Sequence, residues 1–177
     1  MSIKLILKLL IAGTLLSILI MSYTGRPLKQ SSSGFKSILS LEFANTAAKA
    51  EAVVNTWQSE SHGGKTLLEH AKINTYWDFM FIFFYSTTLF FAHWSLPKSG
   101  NKSLQILFTC LGVASLVAGV LDIIENTGML RSMDHIVSDR NASITSVCAW
   151  IKFILVSISI SGLLIRWLLH KISPRAK

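Results

Sequence analysis

The chain has 177 residues, 51% of them hydrophobic, and a formal net charge of +8. Its mean hydropathy of +0.50 is too apolar for an ordinary soluble domain, and its length leaves room for one domain over 1–177. No basic run interleaves with aromatics on a polar segment, so the positive charge is assigned to membrane topology and anionic lipid, and a nucleic-acid partner is excluded.

The apolar residues come in blocks, and four of them reach the ~20 residues that a spanning helix needs. The expected spans cover about 3–22, 77–96, 104–130 and 144–170, with an outer insertion at 23–76. The fold class is therefore an all-α membrane protein, a four-transmembrane-helix bundle with an amphipathic extracytoplasmic helix between spans 1 and 2. Lys4 and Lys8 before the first run suggest a signal peptide, but Ile20-Met21-Ser22-Tyr23-Thr24 matches an A-x-A processing site poorly. A retained signal anchor is expected.

Within the insertion, Ser31-Ser32-Ser33-Gly34 reads as a flexible linker. A helix is expected from Ser40, with Phe43, Ala47, Ala50, Val54 and Trp57 on one face. Ser61-His62-Gly63-Gly64 stops it, and Thr66-Leu67-Leu68-Glu69 is a capping box for a helix that feeds the second span. The amphipathic helix would act as a lid, with Phe43 and Trp57 on its apolar face; packing or interfacial anchoring is the plainer role.

Basic residues set the orientation. Lys4, Lys8, Lys98, Lys102, Arg166, Lys171, Arg175 and Lys177 fall on one side with no acidic residue, and mixed charges fall on the other. By the positive-inside rule both termini are cytoplasmic. Asp78, Asp122 and Lys152 then lie at one depth, roughly 27–29 Å of helix from the cytoplasmic ends at 1.5 Å per residue. Glu125 is one turn further out.

Charge at that depth costs roughly 2.5–3.5 kcal/mol per residue, so it marks a site or a pairing network. Spacings of i, i+3 and i+4 place Asp122, Glu125 and Asn126 on one face, while Asp78, Ile82, Tyr85 and Leu89 share a stripe of the second span. Tyr85 is expected to point its hydroxyl into the bundle below Asp78. One lysine cannot neutralise three carboxylates, which calls for protons, an ion, or a basic loop residue such as Arg131 or Arg140. The competing reading is a salt-bridge network that only holds helices in register.

Leu41-Glu42-Phe43-Ala44 with Trp57, Asp78-Phe79-x-Phe81-x-x-x-Tyr85, Leu121-Asp122-x-x-Glu125-Asn126 and a lysine on the last helix form a pattern over most of the chain. It resembles a family of small bacterial four-span inner-membrane proteins that carries no established activity. The resemblance implies a bacterial inner (plasma) membrane and a shared site at Glu42, Asp78, Asp122, Glu125, Asn126 and Lys152.

Other chemistry is weaker. His93 and His170 near the cytoplasmic face make a bis-histidine haem conceivable, but interfacial imidazoles beside Trp94 and Trp167 are the plainer reading. His62, His70 and His135 lack a ligand spacing, so no metal is assigned and the cofactor is left unknown. Cys110 and Cys148 differ too much in depth to bridge. Of the glycosylation-like triplets at Asn101 and Asn141, only the second faces outward, and neither matters in a bacterial protein.

The function expected is a charged intramembrane site in the outer leaflet that binds, or acts on, a small molecule, cation or lipid headgroup. The alternative is a structural or accessory subunit of a larger membrane complex, with other membrane subunits besides the bilayer as partners. A coupled carrier is disfavoured, since no helix is broken and no charge lies at the midplane.

Overall fold

Long runs of Leu, Ile, Ala and Phe, punctuated by Gly and Asn at the turns, favour helix throughout. The computed structural model describes residues 2–95 and 101–172, with the backbone alone at 169–172. Helix α1 spans Ile3–Thr24, a 3-10 turn Arg26–Gln30, α2 Leu39–Glu42, α3 Ala47–Ser59, α4 Leu67–Ser95, α5 Lys102–Met133 and α6 Asp139–Ile172. Between α3 and α4, β1 (Ser61–His62) and β2 (Lys65–Thr66) pair antiparallel. Gly63 and Gly64 turn this hairpin with φ of 58° and 80°, the left-handed geometry that a tight two-residue turn requires.

The four-span bundle expected from hydropathy is not upheld. Among the described residues three helices are long and apolar enough to cross a membrane: α1 with its 3-10 extension, α5, and α6 as far as Leu168. Helix α4, with 29 residues, is not among them; Asn74, Thr75, Asp78, Ser86, Thr87, Thr88 and His93 set polar side chains along its length. The capable helices carry their apolar side chains outward. Leu15, Leu19, Val117, Val120, Ile154 and Leu164 are all exposed, while Ser17, Ser115, Gly119, Asn126 and Ser159 are buried. Apolar outside and small or polar inside suits a multi-pass membrane protein.

The long helices pack in chain order, α1 on α4, α4 on α5 and α5 on α6. Each pair is antiparallel. Thr14 and Thr88 hydroxyls lie 2.9 Å apart, while Asn74 Nδ2, about four turns earlier on α4, donates to the Met21 carbonyl at 2.9 Å and to Thr24 Oγ1 at 2.7 Å. Between α4 and α5, small residues allow close approach: a Cβ on Gly119 would meet the Ser86 Cβ at 2.9 Å. Among the described residues, the outer helices of the series, α1 and α6, share no extended interface. That leaves a gap along one side.

Helix α5 ends in a Schellman motif. The amides of Ile136 and His135 reach back to the Arg131 and Ser132 carbonyls at 2.9 and 3.0 Å, with His135 at φ 60° where glycine is usual. Asn141 Nδ2 closes the corner on the Gly128 carbonyl at 2.9 Å and Ser132 Oγ at 3.0 Å.

The insertion caps this end of the molecule. Val53, Val54 and Trp57 of α3 are buried with Leu28, Leu41, Leu67, Leu68, Met129 and Met133. The single helix expected from Ser40 is instead two, because Thr46 takes the N-cap and accepts from the Lys49 amide at 3.3 Å. Phe43 and Ala44 fall in the break. The serine stretch is docked rather than free: Glu60 accepts from the Ser32 amide at 3.2 Å and from its hydroxyl. The capping box is present, with the Thr66 amide donating to Glu69 Oε2 at 2.7 Å and the Glu69 amide to Thr66 Oγ1 at 3.2 Å.

Candidate functional site

Beneath the cap, four elements converge on one polar cluster. Lys152 Nζ of α6 lies 2.6 Å from Asp122 Oδ1 and 2.9 Å from Glu125 Oε1 of α5, and 3.9 Å from Glu42 Oε2 of α2. From α4, Tyr85 OH donates to Asp122 Oδ2 at 2.9 Å, and Asp78 Oδ2 accepts from Asn126 Nδ2 at 2.8 Å. Six of these residues are buried and Asp78 is half-buried. Lysine, glutamate and aspartate avoid full burial unless paired, so the network needs its partners to exist at all.

All seven residues singled out from sequence therefore meet: Glu42, Asp78, Tyr85, Asp122, Glu125, Asn126 and Lys152. The Tyr85 hydroxyl points into the bundle and finds Asp122 as its partner, and Glu42 arrives on the short helix α2. Burial pushes the Glu42 carboxyl above its ordinary range, with Lys152 opposing the shift.

A cavity of about 400 Å³ opens beside the cluster. Its polar end is formed by Glu42, Asp78, Tyr85, Asp122, Asn126 and Lys152, and its apolar walls by Ile18 and Met21 of α1, Phe81 and Leu89 of α4, and Phe153, Val156 and Ile160 of α6. It occupies the gap between α1 and α6. Ile18, Phe153 and Ile160 are 42%, 40% and 44% exposed, so its mouth lies on the outer surface of the helices rather than at their ends.

The expected lid divides. Ile38, just before α2, and Glu42, at its end, line the cavity, whereas Trp57 lies away from it in the capping core, donating Nε1 to the Phe35 carbonyl at 2.9 Å. Phe43 packs on α6, 5.0 Å from the Trp150 ring and 5.9 Å from Phe153. The basic residues expected in a loop do not complete the site: Arg131 lies in the last turn of α5 and Arg140 in the first turn of α6, both exposed and outside the cavity lining.

The described histidines and both cysteines lie outside the cavity lining. His93 is buried, with Nε2 3.2 Å from both oxygens of Ser159, and its ring stacks on Phe108. The side chain of His170 lies outside the described residues, as do Lys98, Arg175 and Lys177. His70 Nε2 sits 3.0 Å from the His62 carbonyl. Among the described residues no group of three or more His, Cys, Asp or Glu side chains is placed to hold a metal ion. Cys110 is exposed and Cys148 buried, both free.

Asn74 and the Thr14–Thr88 pair belong to the cavity wall and were not anticipated. Asn74 had a legible signal, since it precedes Asp78 by one helical turn on the same stripe. The threonine pair had none, because its two members are far apart in sequence. No family model, curated protein or solved structure matches the chain.

Proposed function

We propose that the cavity binds one amphiphile, whose polar group sits in the Glu42–Asp78–Asp122–Lys152 cluster and whose apolar part lies between α1 and α6. The observation that carries this reading is the junction of charged end and apolar walls in one cavity whose mouth is on the outward face of the helices. A soluble ligand would need a polar entrance. An amphiphile enters from the bilayer and leaves its tail where lipid would otherwise be.

The capped end is the extracytoplasmic one in this reading. Its support is the charge distribution: Lys4, Lys8, Lys102, Arg166 and Lys171 stand near the opposite end without an acidic residue, while Arg131 and Arg140 at the cap are mixed with Asp134 and Asp139. The site, beneath the cap, then lies in the outer leaflet. The resemblance carried by Asp122-x-x-Glu125-Asn126 adds the bacterial inner membrane.

A second reading keeps one observation of its own: Lys152 bridges α5 and α6 directly, as a register-fixing pair in an accessory subunit would. The two separate by filling the cavity. Native mass spectrometry of protein extracted from membranes should show a single bound amphiphile in the wild type, and its loss in Val156→Trp with the fold retained. Wild-type protein that emerges bare, or Val156→Trp that keeps the adduct, would favour the structural role.

A further inference from the structure

The cavity's polar end is short of donors. Lys152, its cationic side chain, is already committed to hydrogen bonds with Asp122 and Glu125, and reaches Glu42 Oε2 only as an ion pair at 3.9 Å. Tyr85 gives its proton to Asp122, Asn126 Nδ2 donates to Asp78, and Asn74 Nδ2 is spent on α1. What remains are acceptors. Glu42 Oε2 and Asn126 Oδ1 have no hydrogen-bond partner although their residues are only 5% and 0% exposed, and Glu125 Oε2 behind them is likewise unpartnered. A buried acceptor left unsatisfied costs about 1–3 kcal/mol, more for a charged one. Formal charge points the same way, since Glu42, Asp78, Asp122 and Glu125 face one ammonium.

Resting on the amphiphile reading above, we propose that the ligand's polar end is a primary ammonium on an apolar tail. The ammonium brings three donors and one positive charge to a site that has spare acceptors and spare negative charge. It sits between Glu42, Asp78 and Asn126, and the tail follows Ile18, Val156 and Ile160 toward the lipid. A carboxylate or phosphate head without an ammonium would add an anion where anions already crowd, and a lone hydroxyl would leave the charge uncompensated.

The test is a head-group series on one tail. Dodecylamine, dodecanol and dodecanoate are titrated against the full chain in maltoside micelles, with one-to-one adducts counted by native mass spectrometry. Dodecylamine should bind at least about tenfold more tightly than the other two, a margin of about 1.4 kcal/mol. Glu42→Gln and Asp78→Asn should each shrink that margin several-fold, and the comparison on wild type alone decides the matter if a variant fails to fold. Equal or tighter binding of dodecanol or dodecanoate overturns the ammonium and leaves the amphiphile site standing. No adduct for any of the three removes both. A short-chain phosphatidylethanolamine distinguishes the source: binding that depends on Asp78 identifies a lipid headgroup, and its exclusion while dodecylamine binds identifies a free long-chain amine. Either result supports the ammonium.

Discussion

The Asp122 carboxylate is held from both sides, with Lys152 Nζ 2.6 Å from Oδ1 and the Tyr85 hydroxyl 2.9 Å from Oδ2. One side chain thus ties α4, α5 and α6 together at the depth where the cavity begins. Removing either partner tests how much the tie contributes.

Lys152→Met leaves Asp122 and Glu125 buried without their cation, and the expected loss is about 3–5 kcal/mol. Pairing it with Asp122→Asn should recover part of the loss. Thermal unfolding in detergent checks this, and a tolerated single substitution would show that the carboxyls are compensated by some other means.

Tyr85→Phe removes one hydrogen bond to a charged acceptor while Lys152 still pairs Asp122. A loss of about 1.5–3 kcal/mol is expected. The same melting assay reads it, and a neutral outcome would mean that water replaces the hydroxyl.

Glu42 gives a pH signature. Its folded pKa is raised by burial above the ordinary 4.5. The sign is then that stability is fully present below 4.5 and is lost as pH rises through the raised folded value. Glu42→Gln should therefore be more stable than wild type at neutral pH, with the difference closing as pH falls toward 4.5. Lys152, Asp122 and Glu125 remain beside it in both proteins, so the comparison isolates Glu42. A wild type that is the more stable at neutral pH would contradict this account of the site.

Glu69 works in the opposite sense. Hydrogen bonds from Thr66, foremost its backbone amide, hold its carboxyl below the ordinary 4.5. The contribution is present above that value and is lost as pH falls through the depressed one. Protection of the Thr66 and Glu69 amides against exchange, relative to an unstructured chain, should fall only in that acid range, and Glu69→Ala should show the low protection at every pH.

At the α5 corner, His135 occupies a left-handed backbone conformation that costs a side-chain-bearing residue roughly 1–2 kcal/mol. His135→Gly should raise stability by about 1 kcal/mol, less the entropy that glycine adds to the unfolded chain. A lower melting temperature would show that the imidazole makes a contribution of its own.

Much of the site was readable before the fold because charge is rare in apolar helices and the helical period is regular. Asp122, Glu125 and Asn126 declare one face of α5, and matching depth brings Lys152 to it. Glu42 could not be placed by period, since α2 ends within one turn and its direction depends on Leu41 entering the capping core. The span count failed at α4, where length and aromatic content concealed a stripe of polar side chains that α1 and α5 cover. Trp57 looked like a lid residue because amphipathic spacing reports a buried face without reporting what buries it.

The central claim is that an amphiphile lies between α1 and α6 with its head at the charged cluster. Photolabelling addresses it directly, using dodecylamine with a diazirine in mid-chain and peptide mapping of the adducts. The account predicts labelling concentrated on Ile18, Phe153, Val156 and Ile160, suppressed by unlabelled dodecylamine. Adducts spread evenly over the outward faces, at Leu15, Val117 and Leu164, and unaffected by competitor would contradict it.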